Sequence, residues 1–491
     1  MFRISVILIC LFSLLVGARL ARAQQDYVDQ LMKLTELSDN QQYREAINGY
    51  KRLESQPGAP AWLKAGSEYE IAELYAQLNV TPRNTAKTCI FIQMLGGPTH
   101  LETWDAKPGP WTPADFDIRS YTGGVTMSNK AFPMLSQHAN DLVLLPSVES
   151  WEAAHDRAQY YVQTAYAKNP AFQRERPSLG AVVAYELGRN KSAAEVLPSF
   201  IGINANPIGP GFLSAEFAPF NVQSGGNGIG TLIHPQGRDR FLRRFALLQD
   251  MDQSLRAAPY DKEMEDLGNF NRSARSLMYN DVVDAMFRFT TAERDRYGNT
   301  GFGNACIVAR NVAKADLGAR FITIMHGGWD QHTDIFNAAN PGSIYGLGKQ
   351  FDTGLGTLMD DLKSSPAPAG RIGTLFDNTL IIAMGDFGRT PGNLNYRGGR
   401  DHYKDVQAAL MAGGGARGPK AIGKTDANGA KIIDFGWSGQ RSIRMEDITA
   451  TMYSALGINW TKTIADTPSG RKYEYVQYAN RGLYRPVDEI F

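Results

Sequence analysis

Thr88-Cys89-Ile90-Phe91-Ile92-Gln93-Met94-Leu95 runs without a break into Gly96-Gly97-Pro98-Thr99-His100-Leu101-Glu102-Thr103-Trp104-Asp105. The first eight residues are almost continuously apolar, which suits a strand buried on both faces of a parallel sheet. The next ten open with two glycines, which let the backbone turn sharply, and then deliver ionisable side chains. In open α/β sheets, ligands bind beyond the carboxyl ends of such strands.

Similar runs recur at 142–145, 320–325, 379–384 and 408–411. Stretches of helical periodicity lie between them, at 153–167, 179–187, 238–255, 269–289, 304–315 and 346–362. Strands separated by helices predict an α/β domain over 86–491, with a doubly wound, mostly parallel sheet. Residues 201–230, rich in Gly, Asn and Pro, read as a long loop insertion.

The strand ends carry the chemistry. The 320–325 run leads into His326-Gly327-Gly328-Trp329-Asp330-Gln331-His332, and the 379–384 run into Gly385-Asp386-Phe387-Gly388-Arg389-Thr390. Gly398-Gly399-Arg400-Asp401-His402 follows. Of seven histidines, His100, His155, His326, His332 and His402 fall in or beside these segments; only His138 and His234 lie elsewhere. Parallel strands bring their carboxyl ends to one edge, so Asp330, His332, Asp386 and His402 are expected to meet there. Mixed carboxylate and imidazole donors suit Zn²⁺ or Mn²⁺, whereas pure oxygen cages suit Ca²⁺ or Mg²⁺. The alternative is a hydrogen-bonded polar network that only fixes loops.

Arg389 is placed to fork onto a phosphate or sulfate, or to pair a neighbouring carboxylate; for Arg400 pairing is the better reading. Two hydroxyls are candidate nucleophiles: Thr99, just past the first strand, and Thr164, on the helix that starts near His155. Ordinary structural Thr is the alternative for both. Cys306-Ile307-Val308-Ala309-Arg310 echoes a Cys-x-Pro-x-Arg signature, but Val308 replaces the Pro and the segment reads as mid-helix.

The amino end sets the expected compartment. Arg3, an apolar run over 4–16 and Ala21-Arg22-Ala23 have the grammar of a signal peptide over 1–23, cut after Ala23. The run is shorter than the ~20 residues of a spanning helix, and an uncleaved anchor is the alternative. The mature chain is expected to be exported, periplasmic or extracellular, with no membrane span. It keeps only Cys89 and Cys306, both in apolar stretches, which make no disulfide framework. A formal net charge of +1 leaves no electrostatic footprint for nucleic acid or an anionic membrane.

Residues 24–85 read as a helical hairpin: one apolar stripe through Leu31, Leu34, Tyr43, Ala46 and Tyr50, and a second through Tyr69, Ala72 and Tyr75, separated by Pro57-Gly58-Ala59-Pro60. The order of residues is tetratricopeptide-like, and docking of a protein partner through 26–80 is one use for it. Helices that pack on the main domain or form a stalk are the alternative.

From about residue 86 to 462 the chain resembles the bacterial secreted family known as domain of unknown function 1501, placed in the alkaline phosphatase and sulfatase superfamily. The matching blocks are Gly96–Asp105 with Ala106-Lys107-Pro108, Cys306–Arg310 leading to Gly328–His332, Gly385–Pro391, Gly399–His402, and Gly413-Gly414-Gly415. The resemblance implies an alkaline phosphatase-like fold, two sites for divalent metal ions (Zn, Mn, Ca or Mg) and a carboxylate after the first strand, matched by Glu102 or Asp105. It further implies a hydroxyl heading a helix, matched by Thr164, and metal ligands matched by Asp330, His332, Asp386, Asp401 and His402. Three positions depart from the family: Glu102 stands for its Asp, Asp386 for its Glu, and Ala165 for the Gly after the Thr. The expected function is a metal-dependent hydrolase of phosphate or sulfate esters. A non-catalytic exported binding or assembly protein that docks a partner through the amino-terminal helices is the second expectation, and phosphoryl transfer on the same scaffold the third.

Overall fold

The computed structural model describes residues 18–40, 42–56, 59–229, 232–251, 268, 271, 274, 275 and 277–491. The apolar run 4–16 lies outside them, as do 252–255 of the expected helix 238–255 and 269, 270, 272, 273 and 276 of the expected helix 269–289. The chain divides into two compact units: residues up to 82 with 459–486, and 83–458 with 487–491.

Among the described residues the smaller unit holds three α-helices, α1 (Ala18–Asp39), α2 (Tyr43–Glu54) and α3 (Ala61–Leu78). The sequence reading joined the stripe of α1 to that of α2; the chain breaks between them after Ser38-Asp39-Asn40, residues that compete with helix by bonding locally. Leu31, Leu34, Ala46, Ile47, Tyr50, Leu53, Leu63 and Leu74 form the apolar centre of this unit. Residues 459–486 belong to it as well: half-buried Lys472 donates to Glu73 at 2.6 Å and to Glu70 at 3.0 Å. Burial works against the Lys472 charge, and the two carboxylates more than restore it. Helical periodicity carries no information about a partner some 400 residues away, so this return of the chain was invisible in the sequence.

The larger unit is built on one eight-stranded sheet. Its strands are β1 (Thr88–Met94), β2 (Leu142–Val148), β3 (Phe200–Ile203), β4 (Phe220–Val222), β5 (Phe321–His326), β6 (Thr379–Gly385), β7 (Gln407–Ala412) and β8 (Lys420–Ala421). Their spatial order is β8-β2-β7-β6-β1-β5-β3-β4. All run parallel except β7, which is antiparallel to both β2 and β6. The fold is α/β with a mostly parallel sheet, as expected. Strands β3 and β4 replace part of the predicted 201–230 loop; at four and three residues they are too short for their periodicity to stand out from the surrounding Gly and Pro.

Alternation along the strands shows why the runs are continuously apolar. Ile90, Ile92, Ile201, Ile203, Ile322 and Ile324 share one core cluster with Cys306 and Ile307 of α6 (Gly301–Ala315) and Leu355 and Leu358 of α7 (Ile344–Ser364). The intervening Phe91, Phe200, Phe321 and Thr323 meet Leu179 and Gly180 of α5 (Leu179–Gly188) around a small cavity on the opposite face. Helices therefore cover both faces of the sheet. Cys89 and Cys306 are free and buried, and burial pushes both thiols up, so they behave as small hydrophobes.

Candidate metal centre

Register brings the strand ends level. Met94 of β1 aligns with His326 of β5 and with Gly385 of β6, so the three glycine turns leave the sheet side by side. Gly96 is what lets the turns touch: its φ is +109°, and a Cβ there would stand 2.4 Å from the Asp330 nitrogen. Helix α4 (His155–Thr164) follows β2 and presents His155 in its first turn. His402 arrives on a two-residue antiparallel ladder, paired with Arg389.

These elements place Asp330, His155, His332 and His402 together. Asp330 Oδ1 lies 3.0 Å from His332 Nε2 and 3.4 Å from both His155 Nε2 and His402 Nε2. The Nε2 atoms of His332 and His402 are 3.1 Å apart. Donor atoms of His155, Asp330 and His402 all fall within 4.8 Å of one another.

In each histidine the other ring nitrogen is held from outside. His155 Nδ1 meets Asp386 Oδ2 at 3.0 Å, His332 Nδ1 meets Asp401 Oδ1 at 2.8 Å, and His402 Nδ1 meets the Ala153 carbonyl at 2.8 Å. A carbonyl only accepts, so His402 Nδ1 carries the proton and its Nε2 offers a lone pair inward. The carboxylate partners favour the same tautomer in the other two. Acceptors that orient a metal-binding imidazole through its far nitrogen are the usual support of such ligands. Inward lone pairs and a carboxylate oxygen repel one another unless positive charge lies among them, and the Arg389 guanidinium reaches Asp330 and, at 3.4 Å, His332 Nε2 but not His155 or His402. His155 Nε2 is buried and has no hydrogen-bond partner at all. The donor set therefore fits a divalent metal.

Charges around the cluster act in a consistent direction. Burial works against the ionised form of Asp330, yet the Arg389 guanidinium, with His332 and His155, holds its carboxyl down at about 2. Burial lowers His402, as does the nearby Arg389 charge. The His332 hydrogen bond lowers Asp401.

Several expected site residues take other parts. Asp386 does not join the cluster directly: it is wholly buried and accepts from the Gly96 nitrogen (3.1 Å), Gln159 Nε2 (3.1 Å), Gln93 Nε2 (3.4 Å) and His155. It orients His155. Arg389 is 1 % exposed and spends its donors on the Gly96, Gly97 and Arg400 carbonyls, on Asp330 and, at 3.4 Å, on His332 Nε2, leaving none for a substrate anion. Glu102 is clamped by Arg400 through Nε at 2.9 Å and Nη2 at 2.7 Å, and accepts from Thr99 Oγ1 at 2.5 Å. Asp105 pairs with Lys107 at 2.8 Å and accepts from Thr425. His326 stacks on Phe302 and accepts from Trp329 Nε1 at 3.2 Å, with burial lowering its ring to about 4.

The Thr164 hydroxyl is buried and donates to the Tyr160 carbonyl at 2.8 Å. It ends the helix that His155 begins, about 13 Å further along the axis at 1.5 Å per residue. Ala165 then adopts φ 54°, ψ 30°, a left-handed conformation natural to the family's Gly at that position. Sequence reasoning overlooked Gln93, Gln159, Phe387 and Asn395. Phe387 packs on the His155 and His402 rings with centroids 4.8 and 4.5 Å away. Asn395 donates to the His332 carbonyl at 3.1 Å and to Asp401 at 3.3 Å. Gln93 carried a signal, since an amide inside an otherwise apolar strand needs a buried partner.

The carboxyl edge of an α/β sheet thus gathers three imidazoles and a carboxylate. The chain belongs to the family described as protein of unknown function, DUF1501, which matches residues 86–486. No curated protein matches it. Solved structures similar to it include a protein in the alkaline phosphatase superfamily from Vibrio parahaemolyticus (12% identity, 77% of this chain and 69% of that one, TM-score 0.35). A sulfatase from Pseudoalteromonas sp. is also similar (13% identity, 80% and 72%, TM-score 0.36), as is a phosphonate monoester hydrolase from Silicibacter pomeroyi (12% identity, 76% and 73%, TM-score 0.36).

Proposed function

We propose that the protein is an exported, metal-dependent hydrolase of phosphate or sulfate esters. The observation that carries this reading is the inward convergence of His155, His332 and His402 on Asp330 Oδ1. A divalent cation held there supplies positive charge against an ester oxyanion and lowers the pKa of a water molecule. The chain's own contribution is to hold the three imidazoles in one tautomer, through Asp386, Asp401 and the Ala153 carbonyl. Arg389 steadies Asp330 from behind. Water is the nucleophile in this reading, because Thr99 and Thr164 have committed their hydroxyls to Glu102 and to a backbone carbonyl. Export rests on the pattern over 1–23, and mass spectrometry of secreted material is expected to show a chain that begins at Gln24.

The test is hydrolysis of chromogenic phosphate and sulfate esters by protein loaded in turn with Zn²⁺, Mn²⁺, Mg²⁺ or Ca²⁺. Turnover that survives Thr164→Ala and is lost in His402→Ala supports the reading. Metal bound in stoichiometric amount with no turnover on any ester rejects it. The second reading is then an exported binding protein, which the burial of both threonine hydroxyls favours.

A further inference from the structure

We propose that the cluster holds one divalent cation and not two, on His155 Nε2, Asp330 Oδ1 and His402 Nε2 with His332 Nε2 alongside, and that it selects an imidazole-preferring ion such as Zn²⁺ over Mg²⁺ and Ca²⁺. This rests on the metal reading above and goes further by naming ligand set, number and class of ion.

The number follows from where the carboxylates are spent. A second cation needs oxygen donors, and Asp386, Glu102, Asp105 and Asp401, the acids expected as further ligands, each have another occupation. Asp386 is saturated by a backbone amide, two glutamines and His155. Glu102 is consumed by Arg400 and Thr99, and Asp105 by Lys107 and Thr425. Asp401 is turned to His332 Nδ1 and Asn395.

Charge gives the same count. Asp330, Asp386 and Asp401 set three negative charges against the buried guanidinium of Arg389, that of Arg400 being spent on Glu102. Arg397 reaches Asp401 only from the exposed rim, at 3.8 Å. One divalent ion cancels the remainder; a second would leave an uncompensated excess in a partly desolvated site.

The class of ion follows from the donors. Imidazole nitrogen suits Zn²⁺ and later transition metals, while Mg²⁺ and Ca²⁺ need six or more oxygens. His155 is the member that separates the two cases. Its Nε2 is buried, 3.4 Å from Asp330 Oδ1, and makes no hydrogen bond among the described residues, and Asp386 fixes the ring from behind.

Isothermal titration of the metal-stripped full chain with each ion alone tests this. One equivalent of Zn²⁺ is expected, with no heat from Mg²⁺ or Ca²⁺ at the same concentrations. His155→Ala is expected to weaken Zn²⁺ binding by about 100-fold or more, and Asp386→Asn, which keeps every potential ligand, by about 10- to 100-fold. Circular dichroism and melting of the metal-free variants separate lost affinity from lost fold, and Thr164→Ala, remote from the cluster, is the control. Two equivalents of metal, tighter Mg²⁺ or Ca²⁺ than Zn²⁺, or unchanged affinity in a folded His155→Ala overturns the proposal. One Zn²⁺ on these residues without ester turnover rejects the hydrolase and leaves this site standing; turnover that needs two metals rejects this site alone.

Discussion

His332 and His402 face each other Nε2 to Nε2 across 3.1 Å, although 70 residues separate them in the chain. Each is anchored on its far side, His332 by Asp401 and His402 by the Ala153 carbonyl. The pair is one edge of the proposed cation site.

Replacing either ring should lower both bound metal and thermal stability, because an ion that binds only the folded chain stabilises it by mass action. At a free metal concentration 100 times the dissociation constant the difference is about 2.7 kcal/mol. The check is paired: metal content and melting temperature of His332→Ala and His402→Ala beside the parent, with and without chelator. Chelator should bring parent and variants to similar melting temperatures. A gap that persists without metal would show that the rings act by packing alone.

Glu102 and Arg400 form an ion pair that is 1 % and 0 % exposed. Glu102→Gln leaves a buried guanidinium without its counter-charge, a loss of about 3–5 kcal/mol. The denaturation midpoint should fall accordingly while one equivalent of metal is still bound. Loss of metal without loss of stability would instead return Glu102 to the ligand set.

Glu446, in the first turn of α8 (Met445–Ala455), is buried and accepts from the Tyr161 hydroxyl at 2.5 Å. Burial raises its carboxyl to about 7, against the opposing pull of Tyr161 and Arg444 and with a smaller upward push from Asp447. The folded chain then keeps a proton that the unfolded chain has lost, so stability falls as pH rises from about 4.5 to about 7. At about 1.4 kcal/mol per unit the fall amounts to about 3 kcal/mol. Glu446→Gln should flatten that part of the curve, melting above the parent at pH 8 and close to it near pH 4.5. Parallel curves for parent and variant would place the titrating group elsewhere.

Deletion of 26–80 removes Glu70 and Glu73 and leaves Lys472 without either carboxylate. The strands from Thr88 to Ala412 should remain folded, while 459–486 becomes the segment that limited proteolysis cuts first. Equal protection of 459–486 in the deleted and full chains would show that this segment does not depend on the helices.

Five strand positions, most of the helices and the mostly parallel sheet were legible from the sequence, because a strand buried on both faces leaves an unmistakable apolar run. Its direction was not legible. Residues 408–411 read like the other runs, yet β7 is antiparallel, since the 21 residues between Gly385 and Gln407 hold a short ladder rather than a crossover helix. The edge strands β3 and β4 were lost for want of length.

The sequence by itself determined that imidazoles and carboxylates collect at the carboxyl edge, because the turn after each strand must emerge there whatever the side chains do. Packing alone settles which of them face the proposed cation site and which stand behind. Asp386 and His155 show the difference: the carboxylate expected as a ligand holds a ring from behind, and the histidine at the start of a helix faces Asp330. A carboxylate ligates or supports according to what else reaches its oxygens. For Asp386 those are an amide from one turn, glutamines from a strand and a helix, and an imidazole from that helix's first turn. Hydrogen bonds between elements hundreds of residues apart depend on packing distances of a few tenths of an ångström, and no spacing along the chain records them.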